Sequence, residues 1–259
     1  MKKLLHIFGL QVIALLLGLL VLTPSLAETL RVAVASNFST TLEALAKDFE
    51  QRSSHELILA SGSTGKHYAQ IINGAPFDLF FAADVRRPKL LERQQHAVAH
   101  SRFTYAIGKL VLWSARTGYV DPAGEILSSD DYRRLAIANP RLAPYGQAAR
   151  EVLQRRKLFK SVQPRLVRGE NIAQTYQFIA SGNAELGFIA LSQLHRPDRE
   201  ITGSWWIVPE EFYSPIEQQA VLLRDTPAAQ EFVAYIKSNP ARQIIRTYGY
   251  AVPGDHHDQ

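Results

Sequence analysis

Leu57-Ile58-Leu59-Ala60-Ser61-Gly62-Ser63-Thr64-Gly65-Lys66 is an apolar run that breaks into a hydroxyl- and glycine-rich turn, and beyond it Tyr68, Ile71 and Ile72 recur at helical spacing. The stretch reads as strand, turn, helix. A helix start offers unpaired N–H groups and the positive end of the macrodipole, so a turn of this kind is suited to an anion. A nucleotide phosphate loop would need Gly, four residues, then Gly-Lys-Ser/Thr. Ala60 stands at the first of these positions and His67 at the last, so both ends of that pattern fail.

The same grammar extends outward. Upstream, Leu30 to Ala35 is a strand, and Ser36-Asn37-Phe38-Ser39 turns it into a helix with Leu42, Leu45, Ala46 and Phe49 on one face. Helix capping is the ordinary role for Asn37 or Ser39 at such a place. Downstream, Leu79 to Ala83 is a third buried strand, and a helix begun by Pro88 runs from Arg87 to Gln94. Strands alternating with helices predict a parallel sheet whose ligands bind beyond the strands' carboxyl ends, where Ser36-Asn37 and Ser63-Thr64 fall.

Phe103 to Ile107 and Leu110 to Trp113 form an extended run broken at Gly108-Lys109, where the chain crosses into a second lobe. There Leu135 to Ala138 is followed by a loop to Gly146 and a helix from Ala148 to Arg156. Leu166-Val167 leads through Arg168-Gly169-Glu170-Asn171 into a helix from Ile172 to Ser181. Leu186 to Ala190 and Trp205 to Val208 are further strands, and Gln218 to Leu223 carries the chain back. Thr226 caps a helix from Pro227, and Asn239 caps one that starts at Pro240 and stops at Gly249. The expected fold is α/β, with two doubly wound lobes joined by two crossing strands. Lobe I comprises 28–107 plus 221–259 and lobe II 108–220, a clamp that closes on a ligand by hinge motion.

The 259 residues, 46% of them hydrophobic, suffice for one or two compact lobes. Lys2-Lys3, the apolar run Leu4 to Leu22 and Thr23-Pro24-Ser25-Leu26-Ala27 form a secretory signal peptide over 1–27, with cleavage expected after Ala27. An uncleaved anchor is the rival reading, because the apolar run is nearly long enough to span a bilayer. No later stretch is that apolar, so a soluble protein outside the cytoplasm is expected. There is no cysteine to carry a disulfide or a lipid. Cleavage leaves 27 Lys and Arg against 24 Asp and Glu, without the basic, aromatic-interleaved stripe that nucleic-acid binding wants.

Several motifs together, in order along almost all of the mature chain, resemble the periplasmic molybdate-binding proteins of ABC importers, in the type II solute-binding class. They are Ala35-Ser36-Asn37-Phe38, Ser61-Gly62-Ser63-Thr64-Gly65, Gly74-Ala75-Pro76-Phe77-Asp78, Ala138-Asn139-Pro140 with Ala143-Pro144-Tyr145-Gly146, Ala184-Glu185-Leu186-Gly187-Phe188 and Tyr213-Ser214-Pro215-Ile216. The resemblance implies a periplasmic monomer without a cofactor or a bare metal ion, which hands molybdate or tungstate to a membrane permease. It implies that the dianion is held by neutral donors: the Ser36 hydroxyl, the Asn37 amide and side chain, Thr64 with its neighbour Ser63, and the backbone N–H of Tyr145 and of Ile172. The physics agrees, because a buried dianion needs many hydrogen bonds, and neutral donors at helix starts supply them without a costly buried cation. Some family members add a tyrosine in the turn after the strand matching Gly187 to Ala190. Here that turn reads Leu191-Ser192.

Other readings are weaker. A sulfate or phosphate receptor is the near alternative: a donor-only site rejects phosphate by leaving its O–H unpaired, unless Glu170, otherwise well placed at a helix start, accepts that proton. A serine hydrolase would want Gly-x-Ser-x-Gly, and Gly62-Ser63-Thr64-Gly65 has the wrong spacing. Tyr248 with Tyr250, or Asp255-His256-His257-Asp258, could ligate a metal ion, against the plainer readings of a packed helix end and a loose tail. Lys66 and His67 are expected on exposed helix surface, and Trp205-Trp206 in lobe packing.

Overall fold

The computed structural model describes residues 27–197 and 199–255. The expected signal peptide, save Ala27, and the tail from His256 lie outside them. In chain order the elements are β1 (Thr29–Ala35), α1 (Ser39–Glu50), β2 (Glu56–Gly62), α2 (Thr64–Ile72), β3 (Leu79–Ala82), α3 (Arg86–Arg93), β4 (Phe103–Gly108), β5 (Leu110–Ser114), β6 (Leu135–Ala138) and α4 (Pro144–Arg155). A helical turn at Phe159–Val162 follows, then β7 (Leu166–Gly169), α5 (Ile172–Ala180), β8 (Leu186–Ala190), β9 (Ser204–Ile207), β10 (Ile216–Leu222), α6 (Pro227–Ile236) and α7 (Asn239–Thr247).

Two five-stranded sheets form, in the orders β2-β1-β3-β10-β4 and β7-β6-β8-β5-β9. In the first, β1 is parallel to β2 and β3, and β10 is antiparallel to β3 and β4. In the second, β6 is parallel to β7 and β8, and β5 is antiparallel to β8 and β9. Only Lys109 separates β4 from β5, so the chain crosses between sheets there and returns at β10. This is the α/β arrangement of two lobes and two crossings that the sequence predicts.

The central strands are apolar throughout. Leu79 to Ala82, Leu110 to Trp113, Leu135 to Ala138 and Leu186 to Ala190 are all buried, as strands covered on both faces must be. Leu42, Leu45 and Phe49 of α1 pack with Phe81, Phe232 and Ile245 in one core, while Leu112, Ile137, Val152 and Phe188 centre the other. The second core also takes in Ala35 and Ala83, which stand at the ends of β1 and β3. The strand ends of one lobe are therefore packed against the other lobe.

Helix ends differ from the expectation where caps are unusual. α1 has Phe38 at its N-cap with no side-chain bond, so neither Asn37 nor Ser39 caps it. α3 starts at Arg86 rather than Arg87, and α4 starts at Pro144, four residues early, because Pro at the first position suits the helix without any capping side chain. α7 is capped by Ser238, whose Oγ accepts from Ala241 N, rather than by Asn239.

Candidate functional site

Register decides which turns meet. Ala35 pairs with Gly62, and Ala138 with Gly169, so the two parallel strands in each lobe end level. The same closing bond follows in both lobes: Ser36 N donates to Gly62 O at 2.9 Å, and Asn139 N to Gly169 O at 2.7 Å. Each lobe thus presents two adjacent turns beyond its carboxyl edge. Helix α4 presses against its strand so closely that a Cβ on Gly146 would lie 2.1 Å from Ala138 O, which leaves glycine as the residue that fits. Across the cleft, Gly65 N donates to Leu142 O at 2.8 Å, tying the start of α2 to the loop before α4.

The groups expected to meet an anion here carry no charge. Thr64 is 1% exposed, and its Oγ1 accepts from Ala83 N at 3.1 Å, which fixes the rotamer and leaves the hydroxyl proton to be given elsewhere. Ser63 is the N-cap of α2, its Oγ accepting from Lys66 N at 3.3 Å. Tyr145 and Ile172 lie in the first turns of α4 and α5, where no carbonyl of the same helix is available to their N–H groups. Asn171 caps α5 through Gln174 N at 2.9 Å, and Gln193 Nε2 holds Ile172 O at 3.0 Å, so the helix start is fixed from both sides.

Asn37 is engaged differently from the expectation. Its side-chain NH2 donates to Gln218 Oε1 at 2.8 Å and to the Tyr250 hydroxyl at 3.0 Å, and its carbonyl accepts from Tyr250 at 2.7 Å and from Ser192 Oγ at 3.1 Å. Both amide protons are committed to the protein, and the backbone N–H is what remains to offer an anion. His67 is also a correction: it is buried, not on exposed helix surface. Its Nε2 lies 3.2 Å from Val34 O and its Nδ1 3.0 Å from Gln70 Oε1, in the space Gly62 leaves free, and burial pulls its pKa below the ordinary imidazole range. Lys66 is half-exposed but reaches the other lobe, with Nζ 3.2 Å from Glu170 Oε1. Glu170 therefore has a cation for a partner.

Sequence reasoning missed the residues that knit this junction together. Gln218 of β10 accepts from Tyr105 at 3.1 Å as well as from Asn37, and donates to the Tyr145 hydroxyl at 3.3 Å, so it bonds to both lobes. Tyr250 bonds to Ser192 Oγ at 2.8 Å besides Asn37. Burial pushes the hydroxyls of Tyr105, Tyr145 and Tyr250 above the ordinary phenol range, so all three stay protonated. The usable signal was Gln218 itself, a polar residue in phase with the buried Ile216 and Ala220 of β10. Among the described residues no group of three or more His, Cys, Asp or Glu could hold a metal ion, and Tyr250 is spent on hydrogen bonds. Trp206 packs in its lobe against Phe212, as expected.

Two α/β lobes that meet at the carboxyl ends of their parallel strands are the architecture of a solute-binding protein. Residues 30–251 match the family model described as bacterial extracellular solute-binding protein, and the chain belongs to that family. It is 48% identical over 244 residues to the molybdate-binding protein ModA of Azotobacter vinelandii, covering 93% of this chain and 96% of the relative. To the molybdate-binding protein ModA of Rhodobacter capsulatus it is 42% identical, covering 93% and 95%. The solved Azotobacter vinelandii periplasmic molybdate-binding protein superposes with a TM-score of 0.84 at 44% identity, covering 86% of this chain and 99% of that one.

Proposed function

We propose that the protein captures molybdate, and tungstate with it, between its two lobes in the periplasm and delivers the anion to the membrane permease of an ABC importer. The observation that carries this reading is the junction of uncharged donors from both lobes: the Ser36 and Thr64 hydroxyls, the Asn37 N–H, and the helix-start N–H groups of Tyr145 and Ile172, with Ser63 holding the turn. The names of relatives at 48% and 42% identity support the choice of anion. A tetrahedral dianion with no proton of its own matches such a site, because every ligand oxygen accepts and every protein group donates. The Glu170 carboxylate, the candidate acceptor for a phosphate proton, pairs with Lys66, which weighs against a phosphate receptor. The molecule acts as a monomer after removal of residues 1–27, and its second lobe is the part of the chain between the two crossings, from β5 up to β10.

A thermal-shift panel of molybdate, tungstate, sulfate, phosphate and ferric citrate tests the reading. Large shifts with the first two are expected. No shift with either, or a larger one with sulfate, overturns it.

A further inference from the structure

Between the lobes lies a cavity of about 150 Å³ whose wall includes Ser36 and Asn37 of the proposed donor set. Lobe I lines it with the hydroxyls of Ser36, Ser39, Thr40 and Ser61, and lobe II with Tyr176 and Arg196. No carboxylate lines it. Ser39 Oγ and Ser61 Oγ share one hydrogen bond at 2.6 Å, so one of their two protons stays available to the cavity. The Arg196 Nε is buried and has no hydrogen-bond partner, a state that costs free energy unless something else accepts from it. The other such nitrogen among the described residues, Arg150 Nε, belongs to a cavity of about 630 Å³ that is lined also by Asp84, Glu151 and Glu217. Arg86, Arg87 and Arg141 line it as well, so its charges are mixed and Arg150 is one cation among several. The smaller cavity has a cation, hydroxyl donors and no opposing charge.

We infer that this cavity is a receiving site for tetrahedral oxyanion dianions, in which Arg196 draws the anion into the cleft and the hydroxyls pass it to Ser36. The inference rests on the oxyanion-binding reading given above. It also reconciles two demands on such a protein. A guanidinium in contact with the final site would be costly to bury in the unliganded state, yet a cation near the path raises the association rate by concentrating anions at the cleft. A charge on the wall of the cavity that Ser36 and Asn37 share, rather than within the donor set itself, satisfies both. Arg196 then governs arrival, and the neutral donors govern retention.

Stopped-flow tryptophan fluorescence with molybdate tests this. Trp113 provides a reporter close to the cavity, since it stacks on Tyr176 at 5.0 Å between ring centroids. Arg196→Gln is expected to lower the association rate constant about tenfold at low ionic strength, the lower end of what steering supplies. The dissociation rate constant and the unliganded melting temperature should hardly change. The deficit should nearly vanish at high salt, where the field is screened. Arg196→Lys should recover most of the rate, and Thr40→Val, which leaves the charge in place, should show a smaller loss that salt does not remove. Arg150→Gln removes the same charge from the other cavity and should leave association near the wild-type value. The proposal is overturned if Arg196→Gln associates at the wild-type rate with the same salt dependence, if its defect lies only in dissociation, or if Arg150→Gln slows association equally. A wild-type protein that gives no saturable signal or thermal shift with molybdate, tungstate or sulfate would instead remove the oxyanion reading itself, and this inference with it.

Discussion

Thr64 Oγ1 satisfies a buried backbone N–H of Ala83, and on the proposed function its proton goes to the anion. Thr64→Val keeps the shape and removes both. The expected outcome is a fold less stable by about 1–3 kcal/mol from the orphaned donor, and an anion affinity lower by roughly ten- to a hundredfold, from a charge-assisted bond worth about 1.5–3 kcal/mol. Thr64→Ser should restore both, and calorimetric titration beside thermal melts would separate them. Ser36→Ala and Asn37→Ala should each weaken binding more than Lys66→Ala, the first by losing a donor and the second by releasing Gln218 and Tyr250. If Lys66→Ala is the worst of the three by titration, a neutral-donor site is the wrong description. The turns that carry Ser36 and Thr64 could be read from sequence because a strand, a hydroxyl turn and a helix follow one another within a few residues. Gln218 and Tyr250 could not, since they meet Asn37 across 181 and 213 residues of chain.

Elements show the same division between local and distant causes. The strands were legible because burial on both faces leaves unbroken apolar runs, and α2 because Ser63 caps it. The start of α4 was not, since Ala143 offers no capping side chain and Pro144 alone marks the boundary. The inward face of α2 was also hidden: His67 sits beside charged Lys66 and reads as surface, yet it packs edge-on against Phe77 and Phe80. Burial lowers its pKa in the folded state below the ordinary value of about 6.5, so the unfolded chain binds the proton more readily. Its contribution to stability is complete above pH of about 6.5 and is lost as pH falls below that toward the folded-state pKa. Melting temperatures should therefore drop on acidification from neutral pH, and His67→Gln should flatten that part of the profile; parallel curves would refute the assignment. The outer face of the same helix start carries the Lys66–Glu170 pair, which joins α2 to the turn before α5 across the cleft. An exposed pair is worth about 0.2–1 kcal/mol. Lys66→Glu should thus speed ligand release by up to roughly fivefold through repulsion of Glu170, and adding Glu170→Lys should restore it; stopped-flow displacement reads both.

At the scale of the whole molecule the question is what holds one lobe against the other, and here sequence is silent because closure has no local signature. The structure answers with small contacts spread along the cleft: Gly65 N to Leu142 O, Arg87 Nη2 to Arg141 O at 2.9 Å, Ser192 Oγ to Asn37 O, and Gln218 Nε2 to the Tyr145 hydroxyl. None is strong alone, and on the proposed function an anion bonded to both lobes adds to them and shifts the balance toward closure. Gly65 allows this to be tested separately from folding. A Cβ there would come within 2.9 Å of Leu142 Cα and 3.0 Å of Leu142 O, both backbone atoms of the opposite lobe. Within its own lobe, alanine at a helical position is more favourable than glycine by roughly 0.5–1 kcal/mol. Gly65→Ala should therefore leave the unliganded protein as stable as before or more so, while overpacking the cleft by about 1–3 kcal/mol and weakening anion binding from several-fold to about a hundredfold. Ligand at 100 times its dissociation constant should raise the stability of the wild-type fold by about 2.7 kcal/mol, and the same concentration should do less for the variant. Small-angle scattering at saturating ligand should then show a variant more extended than the wild-type clamp. Loss of unliganded stability together with affinity would mean that Gly65 serves the fold of its own lobe rather than the meeting of the two.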